Sequence, residues 1–250
     1  MIEPPHLAPS AAALVNAPDH VRIRAIRSDR WVGFSRARRM LQHLDSLCEH
    51  PPSTRPPGLA IYGHSGMGKT MLVEKFRRDH PPIVDHNSGT EAVPVLAITL
   101  TSRPTERRIY GQLLVALGAS GVILQLMCYL SNELKASLVC LGVMDARDAI
   151  AGDTQLSRRL DQIILPRWKA DEEFQELVTA ILRSLPIKQP SALSSQSLRH
   201  LARVSDGITA RVFGILNELA IDAIRCGTER INDEDIESWK PILERETMFA

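Results

Sequence analysis

The feature that most constrains the fold is the loop Gly63–Thr70, with the sequence GHSGMGKT, which matches the phosphate-loop pattern G-x-x-x-x-G-K-[ST] in full. The short apolar segment Gly58–Tyr62 precedes this loop. Leu72, Val73 and Phe76 follow it at the spacing of one helix face. A strand, a glycine-rich loop and a helix in this order are typical of P-loop nucleotide-binding proteins. The pattern therefore predicts a P-loop fold.

The residue types of this loop favour a nucleoside triphosphate with Mg²⁺. Glycines permit the backbone torsions that turn successive N–H groups toward phosphate oxygens. We expect Lys69 to reach the β and γ phosphates, the Thr70 hydroxyl to ligate Mg²⁺, and His64 to be a spacer that faces solvent. The N-terminus of the following helix also attracts phosphate. The predicted cofactors are ATP and Mg²⁺, and the predicted binding residues are Gly63, His64, Ser65, Gly66, Met67, Gly68, Lys69, Thr70 and Met71.

Strands and helices alternate in the first two thirds of the chain. Further apolar strands are predicted at Val95–Leu100 and Ser137–Leu141, and helices at Ser35–Glu49, 106–117 and 123–135. This alternation predicts an α/β fold with a parallel sheet and flanking helices. After Pro166 only helices are predicted, near residues 171–184, 195–204, 209–225 and 233–240. We therefore expect a flexible N-terminal arm over residues 1–20, a nucleotide-binding core over 21–166 and a small helical lid over 167–250.

Composition restricts the partners and the compartment. The formal net charge is only +1, so binding to nucleic acid requires a local basic patch. Seven arginines supply one within a short N-terminal stretch: Arg22, Arg24, Arg27, Arg30, Arg36, Arg38 and Arg39. The four scattered cysteines are expected to be free thiols in a reducing cytosol. With neither a signal peptide nor an apolar run long enough to span a bilayer, the sequence predicts a cytoplasmic protein without a membrane segment.

The acidic pair that ATP hydrolysis requires is missing from its usual place. Hydrolysis by P-loop proteins needs a carboxylate that positions the attacking water and another that holds Mg²⁺, normally at the end of a second strand. No apolar run in this chain is followed by Asp-Glu. Asp171-Glu172 and Asp233-Glu234 lie at predicted helix starts, and Asp85 follows only the short segment Ile83-Val84. The sequence therefore leaves ATP turnover open.

Several spaced segments together resemble the TniB family, whose members are ATP-binding AAA+ subunits of transposition systems related to TnsC and Mu B. The segments are Arg27–Gly33, the P-loop Gly63–Thr70, Leu138–Gly142, Leu165–Trp168 and Asp171–Phe174. The resemblance covers about residues 14–240. In that family a strand ending in Asp-Glu and a neighbouring helix separate the segments that match Gly118–Gly121 and Val122–Leu124. Here those two segments are adjacent.

The resemblance implies an AAA+ core with a helical lid that forms a homo-oligomer on double-stranded DNA and recruits or activates a DDE transposase of the TniA type. It implies that Arg158 or Arg159 acts as an arginine finger on a neighbouring subunit's γ-phosphate. It also implies that Arg211 occupies the sensor-2 position. Val143 stands where the family has a polar sensor-1 residue, which weakens the case for hydrolysis.

Two other functions remain open from the sequence. The first is a nucleotide-binding switch module that binds ATP or ADP and does not hydrolyse it. The second is a helicase-loader-like ATPase, which shares the P-loop but lacks the combination of Arg27–Gly33 with Leu165–Trp168. The N-terminal arginine stretch also has two possible roles, since it can bind DNA phosphates or line the adenine pocket.

Overall fold

The computed structural model describes residues 4–51, 53, 56–81, 83–85, 90–92, 95–99, 137–151, 158 and 160–240. The chain folds as two compact units. The helical unit comprises Met1–Arg36 and Arg167–Ala250, and the sheet unit comprises Ala37–Pro166. Within the described ranges, no helix combines the length and the apolar composition needed to cross a lipid bilayer.

The described elements alternate as expected for an α/β fold and then become entirely helical. In chain order they are α1 (Pro9–Ala12), α2 (Asp19–Arg27), α3 (Ser35–Cys48), β1 (Gly58–Gly63), α4 (Lys69–Asp79), β2 (Ile83–Asp85), β3 (Thr90–Ala92), β4 (Val95–Thr99), β5 (Ser137–Gly142), α5 (Met144–Ala151), β6 (Leu160–Leu165), α6 (Glu172–Arg183), α7 (Ser195–Val204), α8 (Thr209–Cys226) and α9 (Asp233–Ser238). The helices predicted at 106–117 and 123–135 lie outside the described residues.

Four of the described strands form a parallel sheet at the centre of the sheet unit, in the order β4-β5-β1-β6. Strand β1 is buried along its whole length, as expected for a central strand of a parallel sheet covered on both faces. Its register pairs Tyr62 with Gly142 on β5 and Gly63 with Leu165 on β6. The parallel sheet with flanking helices confirms the predicted α/β P-loop class.

The helices of the sheet unit bury the apolar residues that their spacing predicts. Helix α3 buries Met40, Leu44 and Leu47, and helix α4 buries Leu72, Val73 and Phe76. Helix α5 contacts β1 and β5. The strand that precedes the phosphate loop is therefore packed against β5, β6 and α5.

A separate two-stranded antiparallel hairpin lies between α4 and β4 in the sequence. It consists of β2 and β3, and its register pairs Asp85 with Thr90. No strand is predicted at Asp85 from the sequence, and the structure corrects this with the three-residue strand β2. The correction does not place Asp85 in the parallel sheet, because β2 pairs with β3 alone among the described strands.

Polar residues cap three of the C-terminal helices. Asp171 caps α6 by accepting a hydrogen bond from the Phe174 N–H, and Ser194 caps α7 in the same way. Asn232 and Asp235 form a reciprocal capping box at the start of α9. Between α7 and α8 the chain turns at Gly207, whose φ of 61° lies in the left-handed region.

The N-terminal segment is bound to the C-terminal helices within the helical unit. Leu7, Ala11 and Val15 form a small buried cluster around α1. The Arg22 guanidinium is 1% exposed and donates 2.7 Å hydrogen bonds to both carboxylate oxygens of Glu229. Burial raises the pKa of Glu229, but hydrogen bonds from Arg22 and from the Lys188 backbone outweigh it and leave the pKa below its ordinary value.

A second arginine of the N-terminal segment binds the C-terminal part of the helical unit next to Trp168. The Arg36 guanidinium lies 3.6 Å from the centre of the Trp168 ring and binds a Glu173 carboxylate oxygen at 2.6 Å. The Trp168 Nε1–H donates to the Thr209 hydroxyl at 2.9 Å. A Cβ at Gly207 would lie 2.5 Å from the Trp168 carbonyl oxygen, so only glycine fits the turn that holds this ring. Trp168 is therefore a packing centre of the helical unit.

These contacts differ from two expectations drawn from the sequence. The sequence predicts a flexible arm over residues 1–20, yet residues 7–15 contain a helix and three buried side chains. It also assigns residues 21–36 to the nucleotide-binding core, whereas they belong to the same compact unit as the C-terminal helices. The physical reason is the long-range pairing of Arg22 and Arg36 with acidic residues after position 170.

Candidate nucleotide-binding site

The loop Gly63–Thr70 connects the carboxyl end of β1 to the first turn of α4. Gly66 and Gly68 have φ values of 80° and 88°, which lie in the left-handed region that side chains other than glycine rarely adopt. His64, Ser65 and Gly66 are exposed, as expected for the open side of a phosphate loop. Among the described residues, no side chain caps the first turn of α4. Its N–H groups therefore remain available to an anion.

Parts of the loop and of the helix turn after it are packed into the protein. Met67 is buried, so its side chain serves packing and only its backbone is available to a ligand. A Cβ at Gly63 would lie 3.1 Å from both Cβ and O of Leu165, which keeps the start of the loop close to β6. Met71 is half-buried in the first turn of α4. Residues 63–71 thus form one continuous strand–loop–helix unit.

The Lys69 ammonium group folds back over the loop. Its Nζ donates to the carbonyl oxygens of Gly63 at 2.7 Å and His64 at 2.8 Å. Partial burial lowers the pKa of Lys69 from its ordinary value. A triphosphate in the loop would favour the charged ammonium form and replace weak carbonyl acceptors with anionic oxygens. The lysine is therefore placed to exchange loop contacts for phosphate contacts.

Thr70 carries the hydroxyl that the sequence predicts as a ligand of Mg²⁺. It is exposed in the first turn of α4, directly after Lys69. Among the residues that the structure describes, no cluster of three or more His, Cys, Asp or Glu side chains could hold a metal ion by itself. Mg²⁺ bound to one hydroxyl, phosphate oxygens and water is the ordinary arrangement in nucleotide sites. The donor set here therefore fits a metal that arrives with the nucleotide.

The neighbouring strand end is tightly packed around a buried tyrosine. Tyr62 pairs with Gly142, and a Cβ added at Gly142 would lie 2.9 Å from the Ala146 Cβ of α5. Among the described residues the buried Tyr62 hydroxyl has no hydrogen-bond partner. Burial raises the pKa of Tyr62 to about 12, so the phenol stays neutral. No pattern in the sequence indicates this unpartnered hydroxyl next to the loop.

The described strand ends supply no acidic pair at this edge of the sheet. After β5 comes Val143, which is the apolar residue noted at the sensor-1 position. The first acid beyond it is Asp145, exposed in the first turn of α5. The sequence from Leu100 to Ser137 contains no aspartate at all. Asp85 belongs to the separate hairpin.

The three predicted arginines are not brought together by the contacts described. Arg158 is exposed two residues before β6, and Arg159 lies outside the described residues. Arg211 is exposed at the start of α8 in the helical unit, with its Nη1 3.7 Å from an Asp206 carboxylate oxygen. Their roles as arginine finger and sensor 2 stay predictions.

Comparison with protein families gives a specific match. The model of the bacterial TniB protein matches residues 22–123 and 119–170, and these segments together span more than half of the chain. The chain belongs to the TniB family. The two matched segments of this TniB-family protein meet at residues 119–123. That junction is the place where the resemblance predicts the family's Asp-Glu strand, which this sequence lacks.

Solved structures confirm the AAA+ fold of the TniB-family chain. It is similar to a chain of Drosophila ORC bound to DNA, with a TM-score of 0.51, 12% identity, and coverage of 88% of this chain and 64% of that one. It is also similar to Aeropyrum pernix ORC2 in its ADPNP–ADP complexes, with a TM-score of 0.50, 14% identity, and coverage of 85% and 70%. The chain therefore spans less than two thirds of the Drosophila chain.

The sequence matches none of the curated proteins. Family and fold together make this chain a TniB-family protein with an AAA+ fold.

Proposed function

We propose that this TniB-family chain binds ATP with Mg²⁺ and in that state assembles on double-stranded target DNA, where it recruits or activates a DDE transposase of the TniA type. The observation that carries the proposal is the P-loop, with Gly66 and Gly68 in left-handed conformations and Lys69 folded over the loop. Lys69 would bind the β and γ phosphates, and Thr70 would hold the Mg²⁺. The metal would supply charge neutralisation between the phosphates.

Assembly offers a way for a nearly neutral chain to bind DNA firmly. With a net charge of +1, a single copy has little overall attraction for a polyanion. Several copies aligned on one duplex combine weak phosphate contacts into a strong interaction. An exposed Arg158 reaching a neighbour's γ-phosphate would make that alignment depend on ATP. DNA contacts of this kind go to phosphates and carry little sequence preference.

The proposal predicts that binding to duplex DNA depends on the γ-phosphate. Fluorescence anisotropy of a labelled duplex should show tighter binding with ATP or a non-hydrolysable analogue than with ADP or no nucleotide. Across a salt series the affinity should fall steeply, because binding releases counterions from the phosphates. A folded protein whose duplex affinity is the same in all nucleotide states would contradict the proposal.

A second candidate function is a nucleotide-binding switch that does not turn ATP over. The meeting of the two family-matched segments at residues 119–123 favours it, because the missing strand is the one that carries the catalytic carboxylates in the family. The absence of aspartate between Leu100 and Ser137 points the same way. In this case nucleotide exchange, and not hydrolysis, would reset the protein.

We therefore predict ATP turnover at close to the background rate, even with duplex DNA present. The measurement is phosphate release by protein whose mass agrees with 27.8 kDa. A larger mass would show that the preparation contains a longer chain. Steady turnover that is lost on Lys69→Ala would contradict the switch. Asp85→Asn and Asp145→Asn variants would then identify the carboxylate responsible.

A further inference from the structure

The arginines of the N-terminal stretch separate into two groups in the helical unit. Arg22, Arg30 and Arg36 are bound inside it: Arg22 to Glu229, Arg30 to Ser184 and Asn217, and Arg36 to Glu173 and the Trp168 ring. Arg24 and Arg27 are exposed and have no ion pair or side-chain hydrogen bond to any described residue. These two remain available to an external partner.

The two available arginines lie on one face of helix α2. His20, Arg24 and Arg27 occupy positions i, i+4 and i+7, and all three are exposed. At 1.5 Å per residue these positions span roughly 10 Å along the helix axis, a length over which one DNA strand carries about three phosphates. The nearest acid on the helix, Asp19, is bound by Arg22 at 2.7 Å. Asp29 is exposed beyond the helix end.

The opposite face of α2 is held in place. Ile26 is 1% exposed, Arg22 is bound to Glu229 at 2.7 Å, and the helix packs along α8. Just beyond α2, Arg30 donates to Asn217 of α8 at 2.6 Å and lies over the Phe213 ring. Contacts at both ends therefore present the basic face in a fixed orientation, so little side-chain and backbone freedom is lost when it binds an anion.

We propose that the exposed face of α2, formed by His20, Arg24 and Arg27, binds the phosphate backbone of duplex DNA. The inference rests on the proposed function and assigns its DNA contact to one surface. Two guanidinium groups on a rigid helix face can each donate a charge-assisted hydrogen bond to a phosphate oxygen. Contacts of this type position the protein on DNA without reading the bases.

The test is the double variant Arg24→Gln/Arg27→Gln of the whole chain, measured by duplex anisotropy with a non-hydrolysable ATP analogue. Loss of two charge-assisted contacts should weaken the affinity roughly a hundredfold. It should also reduce the slope of log affinity against log salt by about 2. The matched control is Arg199→Gln/Arg230→Gln, which removes the same charge from exposed positions of the same unit that have no described ion pair. The control should bind within a few-fold of wild type.

A second readout locates the contact directly. Phenylglyoxal modifies accessible guanidinium groups, and mass spectrometry can follow each arginine with and without the duplex. Arg24 and Arg27 should become protected while Arg199 and Arg230 remain reactive. If the wild type binds the duplex and the Arg24→Gln/Arg27→Gln variant binds it with the same affinity, the α2 surface is not the DNA contact. The same conclusion follows if the control variant loses as much duplex affinity. Neither result would contradict the proposed function. A wild-type chain that binds no duplex in any nucleotide state would overturn the proposed function itself, and this surface with it.

Discussion

Replacing Lys69 with alanine is expected to lower the affinity for ATP at least about a hundredfold while leaving the fold intact. The ammonium group makes two contacts of 2.7 and 2.8 Å to loop carbonyls and is the only lysine or arginine cation in the loop Gly63–Thr70. Two charge-assisted hydrogen bonds to phosphate oxygens account for an effect of this size. Calorimetric titration of ATP with Mg²⁺ measures it, and circular dichroism checks the fold.

The matched control for this variant is Lys75→Ala. Lys75 lies on the same helix, six residues later, and pairs with Asp79 on the surface. Surface pairs of this kind contribute little, so stability and ATP affinity should both stay close to wild type. Unchanged ATP affinity in a folded Lys69→Ala protein would contradict the assignment of Gly63–Thr70 as the loop that binds the ATP phosphates. If Lys75→Ala lost as much ATP affinity, the effect would come from the lower net charge of the protein and not from a contact of Lys69 with phosphate.

The second large effect is expected from the double variant Arg158→Ala/Arg159→Ala. ATP-dependent assembly and duplex binding should be lost together, because in the proposed assembly both require an arginine from one subunit at the γ-phosphate of the next. The ATP affinity of the isolated chain should change little, since the proposal completes that site in cis with Lys69 and Thr70. Light scattering measures the assembly, and nucleotide titration measures the affinity.

Two results would speak against this role for the arginine pair. Loss of ATP affinity without a change in assembly would place the pair in its own subunit's site. A chain that remains monomeric with ATP and duplex in both wild type and variant would favour the isolated switch. The Arg199→Gln/Arg230→Gln variant again serves as the control for a loss of two exposed charges, and it should assemble normally.

Most of the sheet can be predicted because its strands are apolar and bounded by turn residues. Strands β1, β4 and β5 lie within a residue of their predicted limits. Strand β6 is not predicted, because Asp161 and Gln162 interrupt its apolar residues, so that the sequence neither alternates nor forms an apolar run. Among the described strands it lies at an edge of the sheet. Helix α2 is not predicted because Arg22 resembles a surface charge, whereas it is buried against Glu229, 207 residues later.

In the candidate site, too, features set by neighbouring residues can be predicted from the sequence, whereas features set by distant residues cannot. The position of the loop Gly63–Thr70 between a strand and a helix is predicted from the sequence, because phosphate-binding chemistry fixes glycines, lysine and threonine at set spacings, and the structure places it there. Which of the N-terminal arginines are bound inside the protein is not predicted, since that depends on partners such as Glu173 and Glu229 that are distant in sequence. No local pattern distinguishes the exposed Arg24 from Arg22, which is buried and bound.

Binding of the ATP phosphates by Gly63–Thr70 is tested most directly by hydrogen–deuterium exchange of the whole chain, with and without ATP and Mg²⁺. Backbone N–H groups that bind phosphate exchange more slowly, so the amides of residues 64–70 should be protected by ATP. This protection should be absent in Lys69→Ala. Binding of ATP with unchanged exchange across this loop, or with protection confined to another segment, would contradict the claim.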